Sequence, residues 1–520
     1  MHRLVVSFEL AIIILKVLWC QIITNRDDVV YFGRKPVVQE VGPYTFIETE
    51  HKRNMSWDGA GNSVWYQNYK TWTFNESLSC PTCKYSDYVT VPNAAFYALI
   101  GKMLTASHTA TLPLWVLNVG LLLLGEYPIR TVPVRGVLFE GYDDPLISIL
   151  NSGLFKEFLS DEAAQIKLLG FTVPNLPRMG YFVNYNNSAD ESYYVNTGKD
   201  CLSNGDRGCF GKIKTWANMD SLPEKWWSTP EARAINGSDG SLNPPFMEKT
   251  DVVYMFNSFL CRSLTLNFDS TTSYRSIPTY RFVAGKDVYD TTLPQNAGFR
   301  YNNIENAKYF FNTTALPPGM FPLRCFPGKN QDAPFNAIFS APHFYYAPPE
   351  VVNSISGLNP NPDLHTPAVF DIEPTSGTPM EGLFRLQVSF PMYPLPFFSP
   401  QLNKLTKPYI IPTFWLESHV TINDNVYDTV VFTFVVLPKL ILGIGIGLTL
   451  LAALIIVLSL FCAFRGRRQS KHNPPSGGGG NNWQDYVNVN DHLPDANDRN
   501  KDDVGVAGPS RETNVQSEKY

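Results

Sequence analysis

Two long apolar runs lie near the ends of the 520-residue chain, and between them apolar and polar residues alternate over short segments. The C-terminal run, residues 440–464, contains no charged residue. As a helix rising about 1.5 Å per residue it is about 37 Å long, enough to cross a hydrocarbon core of about 30 Å with some tilt. A buried helix of a soluble protein has a polar stripe, which this run lacks. The pattern therefore predicts a transmembrane helix at 440–464.

The segment that follows this run is basic at first and then polar. Because positive residues are retained on the cytosolic side of a membrane, we expect residues 465–520 to be cytosolic. This segment is rich in Gly, Asn and Asp, so we predict that it is disordered. Within the predicted helix, Gly443 and Gly447 form a G-x-x-x-G face that favours self-association.

The N-terminal run, residues 4–23, is interrupted by Glu9 and Lys16. Each of these residues costs about 2.5–3.5 kcal/mol near the centre of a bilayer. Three interpretations of residues 1–23 stay open: a signal anchor, a cleaved signal peptide, or a first strand of the next domain after an incomplete first anchor. All three place residues 24–439 in the secretory lumen.

The pattern within residues 24–439 is mainly that of β-strands. Segments such as 64–74 and 385–390 alternate and are rich in β-branched and aromatic residues. Residues 94–105 and 111–124 have helical composition instead, and the second run is too short to span a bilayer. It is either a buried core helix or an exposed apolar surface that meets lipid or a partner. No repeat or linker divides the region, so we predict one large, β-rich α+β domain.

Composition and sequons agree with a secreted type of domain. Charged residues make up 17% of the chain and the net charge is −5, which gives no support for nucleic-acid binding. Five N-glycosylation sequons lie before residue 440 and none after residue 464. We predict glycans at Asn54, Asn75, Asn186, Asn236 and Asn312.

The cysteines suit an oxidising compartment. Cys20 lies in the N-terminal run and Cys462 at the cytosolic end of the predicted membrane helix, which leaves six in the domain between. Two local bridges are predicted, and a third pair would close a loop of about 64 residues, a stabilisation on the order of 4 kcal/mol. These pairs are Cys80–Cys83, Cys201–Cys209 and Cys261–Cys325.

Catalytic motifs are not found in the sequence. It has no G-x-S-x-G elbow, H-E-x-x-H pair or Walker loop, and no His or second Cys pair near Cys80 and Cys83 that would complete a zinc site. His343 lies among prolines and aromatic residues and is predicted to be a packed structural imidazole. We therefore expect neither an enzyme nor a bound metal or cofactor.

A series of short motifs, in this order and spacing, resembles the class B scavenger receptor family along nearly the whole of 24–439. The motifs are GRKPVVQEVGPY at 33–44, EGYDDP at 140–145, INGSDGSLNPPF at 235–246, IPTYRF at 277–282, GLNPNP at 357–362 and DIEPTSG at 371–377. The resemblance implies an irregular antiparallel β-barrel with a small helical apex, an internal apolar tunnel, and a membrane helix at each end.

The resemblance also implies what individual residues do. Residues 111–124 would belong to the helical apex, where Leu114, Trp115 and Leu121 are the predicted lipid-binding contributors to an apolar entrance. Cys261–Cys325 would be the disulfide common to the family. Cys462 would correspond to cysteines that are acylated in relatives, which holds the helix end at the bilayer.

Three departures from the family pattern refine this expectation. The apolar run 4–23 abuts Thr24-Asn25, where relatives have some twenty further residues, so the resemblance leaves open whether the run is a first membrane anchor or takes the place of the first strand. Residues 80–170 hold six Lys or Arg against eight Asp or Glu, which does not support polyanion binding. The tail lacks an acidic dileucine signal, which favours the plasma membrane over the lysosome.

The favoured hypothesis is a cell-surface receptor that binds lipid or lipoprotein at the apex and transfers lipid to the membrane through the barrel. Fatty acids, sterols and phospholipids are the expected ligands, and a sheltered path avoids a cost of about 0.8 kcal/mol for each methylene exposed to water. The alternatives are a recognition or adhesion receptor for the uptake of cells and an endolysosomal membrane protein.

Overall fold

The computed structural model describes residues 12–105, 113–169, 177–201, 205–301, 315–334 and 336–470. The chain divides into two compact units, Met1–Leu442 and Gly443–Tyr520. The first contains the sheet and the smaller helices, and the second contains most of one long apolar helix.

Thirteen antiparallel strands of the first unit form one sheet, which curls into a nearly closed barrel. The order across the sheet is β7-β6-β3-β2-β1-β15-β14-β13-β10-β9-β8, and β12 joins β14 and β11 at one side. The strands are β1 Ile12–Ile23, β2 Val38–Trp57, β3 Ser63–Phe74, β6 Ser188–Asn196, β7 Ile213–Trp216, β8 Val252–Asn257, β9 Arg262–Tyr274, β10 Ile277–Val283, β11 Met320–Pro322, β12 Ile338–Ser340, β13 Ala368–Glu373, β14 Thr378–Met392 and β15 Tyr409–Thr421. A separate pair is formed by β4 Tyr88–Pro92 and β5 Ile129–Pro133. The predicted β-rich barrel is confirmed.

Strand alternation explains why these sequences form a barrel wall. In β3, Val64 and Tyr66 are buried, whereas Trp65 between them is exposed and stacks on Tyr194 with ring centroids 3.7 Å apart. Successive side chains point to opposite faces of a strand, so one set fills the interior and the other covers the outside.

The barrel closes between its two edge strands through residues 236–238. The Ile213 N–H of β7 donates to the Gly237 carbonyl at 2.8 Å, and the Ser238 N–H donates to the Tyr254 carbonyl of β8 at 3.2 Å. The Phe256 N–H in turn donates to the Ser238 carbonyl at 2.8 Å. We call residues 236–238 the seam segment, because it supplies the backbone hydrogen bonds that β7 and β8 do not make to each other.

The N-terminal run contributes a central strand to this sheet. β1 lies between β2 and β15, with Ile14 opposite Glu48 on one side and Val420 on the other. Residues 12–23 form a strand in the structure, which is the arrangement that the third interpretation expects for them. Residues 1–11 lie outside the described residues.

Short helices pack around the barrel and account for most of the helical content of the first unit. We call the helices within residues 94–169 the head. Their bounds are α1 Arg26–Phe32, α2 Ala94–Thr105, α3 Leu114–Leu123, α4 Pro145–Leu150, α5 Gly153–Ser160, α6 Glu162–Leu169, α7 Pro230–Arg233, α8 Lys286–Tyr289, α9 Pro349–Val352, α10 Pro362–His365 and α11 Asp424–Val431. Asp144 begins α4 by accepting hydrogen bonds from the N–H groups of Leu146 and Ile147, as an N-cap residue does.

The last helix, α12, runs over Leu437–Ser470 and contains the predicted transmembrane segment. Its apolar side chains are exposed, and it belongs to the one stretch among the described residues that is long and apolar enough to cross a membrane. The predicted cytosolic tail beyond residue 470 lies outside the described residues.

Candidate functional site

The barrel contains a cavity of about 280 Å³, part of which is open to solvent. Its wall is mostly apolar, and the inward-facing side chains of β1, β2, β14 and β15 form much of it. The apolar lining includes Ile14, Leu18, Phe46, Phe139, Phe182, Met255, Phe339, Phe384, Leu386, Val388, Leu416 and Val420. Most ligand pockets are concave, largely apolar and about 300–1,000 Å³ in volume, so this cavity is close in volume to the smallest of them.

One part of the cavity wall is charged, and its four charges lie on three adjacent strands. Lys16 Nζ of β1 is 3.2 Å from Glu48 Oε2 of β2, and Lys70 Nζ of β3 is 3.3 Å from Glu50 Oε2 and 3.9 Å from Glu48 Oε1. Lys16 also donates to the Ser418 hydroxyl of β15. We call Lys16, Glu48, Glu50 and Lys70 the interior ion cluster.

The interior ion cluster is electrostatically satisfied despite its burial. Burial alone would raise the pKa of Glu48, but Lys16, Lys70 and a 2.7 Å hydrogen bond from Trp72 Nε1 lower it overall, so Glu48 stays ionised. Burial lowers the pKa of Lys70, and the nearby carboxylates of Glu50 and Glu48 more than reverse this effect. Glu48 and Lys70 are therefore both charged at neutral pH, and the cluster contains two basic and two acidic side chains.

An ion pair and a carboxylate–imidazole hydrogen bond also border the cavity. Asp239, which follows the seam segment, accepts hydrogen bonds from Lys52 Nζ and the Tyr66 hydroxyl, both at 2.8 Å. Glu381 of β14 pairs with His419 Nε2 of β15 at 2.8 Å. Each carboxylate that lines the cavity thus has a basic partner.

The head has an exposed apolar surface on α3. Trp115 is 66% exposed and Leu123 is 83% exposed, and Val119 lies between them at helical spacing. Leu121, by contrast, is buried in the main core and does not belong to this surface. The side chain of Leu114 lies outside the described part of the helix. Of the three predicted entrance residues, only Trp115 is seen to be exposed.

A buried polar group lies where the head helices join β4 and β5. Arg130 Nη1 contacts Glu126 Oε2 at 3.2 Å and Asp144 Oδ2 at 3.0 Å, and both carboxylates are buried. Burial, followed by the proximity of Asp144, raises the pKa of Glu126 to about 8. Asn93 Nδ2 donates to Glu126 Oε1. These bonds fix the base of the head.

His343 is buried and fully hydrogen-bonded, in line with the structural role predicted for it. The Asn359 N–H donates to His343 Nδ1 at 3.0 Å, so the proton is on Nε2, which donates to Glu40 at 2.7 Å. Its ring stacks on that of His365, with centroids 4.3 Å apart. Trp415 Nε1 also donates to Glu40, at 2.6 Å. His365 lies 22 positions after His343 in the chain, so no local sequence pattern indicated that the two rings stack.

Three disulfides are formed in the first unit, and they join the cysteines paired by spacing and by the family resemblance. They are Cys80–Cys83, Cys201–Cys209 and Cys261–Cys325. Cys20 is a buried free thiol on β1, whereas Cys462 is free and exposed on α12.

The predicted glycan acceptors differ in their surroundings. Asn54 and Asn186 are exposed, and Asn75 and Asn236 are half-buried, the latter in the seam segment. Asn312 lies outside the described residues. On α12, Gly443 and Gly447 have no other atom near the position of an added Cβ within the described part of the chain, so the small-residue face is open.

Comparison with known proteins places this architecture in a family. The model of the CD36 family matches residues 19–463. An uncharacterized protein of Caenorhabditis elegans is 37% identical over 447 residues, covering 81% of this chain and 80% of that protein. Scavenger receptor class B member 1 of Cricetulus griseus is 28% identical over 432 residues, covering 81% of this chain and 75% of that protein. Lysosome membrane protein 2 of Mus musculus is 27% identical over 437 residues, covering 82% of this chain and 79% of that protein. This chain therefore belongs to the CD36 family, as its motifs indicated.

Proposed function

We propose that this protein is a non-enzymatic cell-surface receptor that binds lipid or lipid-carrying particles at its head and transfers lipid to the membrane through the barrel cavity. The observation that carries the proposal is the mainly apolar cavity inside the barrel. Each methylene exposed to water costs about 0.8 kcal/mol, so such a cavity shelters a lipid that would otherwise cross solvent. Fatty acids, sterols and phospholipids are the ligand classes considered, with lipoproteins as carriers.

The membrane arrangement is part of the same proposal. Residues 24–439 lie outside the cell with glycans on the sequon asparagines, residues 440–464 span the membrane, and residues 465–520 are cytosolic. Acylation of the exposed Cys462 holds the helix end at the bilayer. The open face of Gly443 and Gly447 is the surface through which two copies associate.

A cavity-filling substitution tests the transfer path. Leu416 lines the cavity and is only half-buried, so Leu416→Trp places an indole in the open space. We expect several-fold less co-purified lipid by native mass spectrometry and several-fold slower lipid uptake by cells. Leu364→Trp, at an exposed site on α10, is the matched control and should leave both measurements unchanged. Equal lipid content and uptake in the two variants would contradict the proposal.

The exposed apolar surface on α3 favours a second candidate, a recognition receptor whose head binds a protein or an altered cell surface. Trp115→Glu separates the two functions. If the head recognises a protein, the substitution abolishes binding of that protein and leaves co-purified lipid and lipid flux unchanged. A third candidate, an endolysosomal protein, is favoured by the similarity to lysosome membrane protein 2 and is tested by the steady-state location of the tagged receptor.

A further inference from the structure

The ammonium of Lys16 is the member of the interior ion cluster that is most open to the cavity. Its side chain is 28% exposed, whereas that of Glu48 beside it is 1% exposed. Among the described residues, Glu48 and the Ser418 hydroxyl accept two of the three N–H groups of the ammonium. The third N–H is left to donate to a bound molecule. This N–H is a donor for one oxygen atom of a lipid headgroup.

The charge balance around this donor limits which oxygen it can serve. The cavity lining contains two basic side chains, Lys16 and Lys70, among its described residues. It also contains four carboxylates: Glu48, Glu50, Asp239 and Glu381. A lipid carboxylate on Lys16 would share the ammonium with Glu48, whose oxygen is already 3.2 Å away. Like charges at one partner repel, and each disfavours the charged form of the other.

We propose that the cavity selects lipids whose headgroup is an uncharged hydroxyl or carbonyl oxygen, and that it disfavours free fatty-acid carboxylates. The inference rests on the proposed function, because it assumes that lipid enters this cavity. A hydroxyl or carbonyl oxygen accepts the free N–H of Lys16 without adding charge to a cluster that is already neutral. A hydroxyl can in addition donate to Glu50, which also lines the cavity.

Two probes that differ only in their headgroup test the inference on the unmodified protein. Radiolabelled oleyl alcohol and oleate have the same hydrocarbon chain, and each is titrated at pH 7.4 against the delipidated full chain in detergent. A carboxyl group with a pKa of about 4.3 is protonated in only about one molecule in 1,000 at this pH, so a site that accepts only the neutral acid binds oleate up to about 1,000-fold more weakly. We expect oleyl alcohol to bind at least about tenfold more tightly than oleate.

A charge substitution should remove the preference. Glu48→Gln keeps the shape and an acceptor for Trp72 but leaves Lys16 with an uncompensated charge. We expect oleate affinity to rise at least about tenfold, while oleyl alcohol affinity changes less than about twofold. Glu350→Gln is the control, because it removes a carboxylate that is exposed on α9 and does not line the cavity. It should leave the ratio of the two affinities nearly unchanged.

The outcomes separate this inference from the proposed function. If oleate binds the unmodified receptor as tightly as oleyl alcohol does, the headgroup preference is wrong and lipid carriage stands. If neither probe binds, the lipid-carrying cavity itself is wrong, and the inference falls with it. The comparison on the unmodified protein decides the question even if Glu48→Gln fails to fold, which its melting temperature would show.

Discussion

The seam segment gives a sharp test of how the barrel closes. Gly237 has a φ of +80°, and a Cβ built there would lie 1.8 Å from the Tyr254 carbonyl oxygen. Gly237→Ala therefore costs about 1–2 kcal/mol for the left-handed backbone. It also displaces a segment that makes three backbone hydrogen bonds to β7 and β8, each worth about 0.5–1.5 kcal/mol. The sum is a loss of about 3–6 kcal/mol in the free energy of unfolding.

Thermal unfolding of the purified receptor, followed by tryptophan fluorescence, measures this loss. Unfolding entropy is about 2.1 cal/mol/K per residue, or roughly 0.9 kcal/mol/K for the unit Met1–Leu442, so the melting temperature should fall by roughly 3–7 °C. Gly205→Ala is the matched control, because Gly205 has a φ of +81° but no atom of a described residue lies within 4 Å of its added Cβ. It should lose only about 1–2 °C. Equal shifts in the two variants would refute the role given to the seam segment.

Three further predictions follow from other parts of the structure. Replacing Cys261 and Cys325 by Ser opens a loop of 64 residues and should lower stability by on the order of 4 kcal/mol, measured by denaturant unfolding; an unchanged midpoint would contradict this. Burial, and then a neighbouring imidazole, lower the pKa of His365 to about 4 from an unfolded value of about 6.5, so the stability it contributes is present above pH 6.5 and is lost as the pH falls towards 4. The loss is at most about 3 kcal/mol. In the His365→Phe variant, the melting temperature should change less as the pH falls from 6.5 to about 4. Trp115→Glu should weaken binding of the receptor to phospholipid-coated particles several-fold, whereas Leu78→Glu, at another exposed apolar site, should not.

Local patterns predicted the elements whose signal lies in neighbouring residues. The membrane helix followed from uninterrupted apolar residues, and the strands followed from alternation. The N-terminal run was ambiguous because a strand buried on both faces has the same apolar texture as a signal sequence. Lys16 argued against a membrane helix, and in the structure it forms an ion pair with Glu48. Only the pairing of β1 with β2 brings these two residues together.

The candidate site was less predictable than the fold. α3 is apolar on every side, so composition did not decide which residues face outward, and Leu121 proved to be buried whereas Val119 and Leu123 are exposed. The interior ion cluster depends on the register of β1, β2 and β3. The alternation of Glu48 and Glu50 was visible in the sequence, but nothing local indicated that this face points inward.

The position of β1 has a consequence for synthesis. Lys16 of β1 contacts Ser418 of β15, 402 positions later in the chain. At about 5–20 residues per second, a ribosome needs roughly 20–80 s to make the intervening segment. During that time β1 has no partner on one side, and an unpaired strand edge is a template for aggregation. Until β15 is made, the nascent chain therefore exposes one edge of β1 to pairing with other chains.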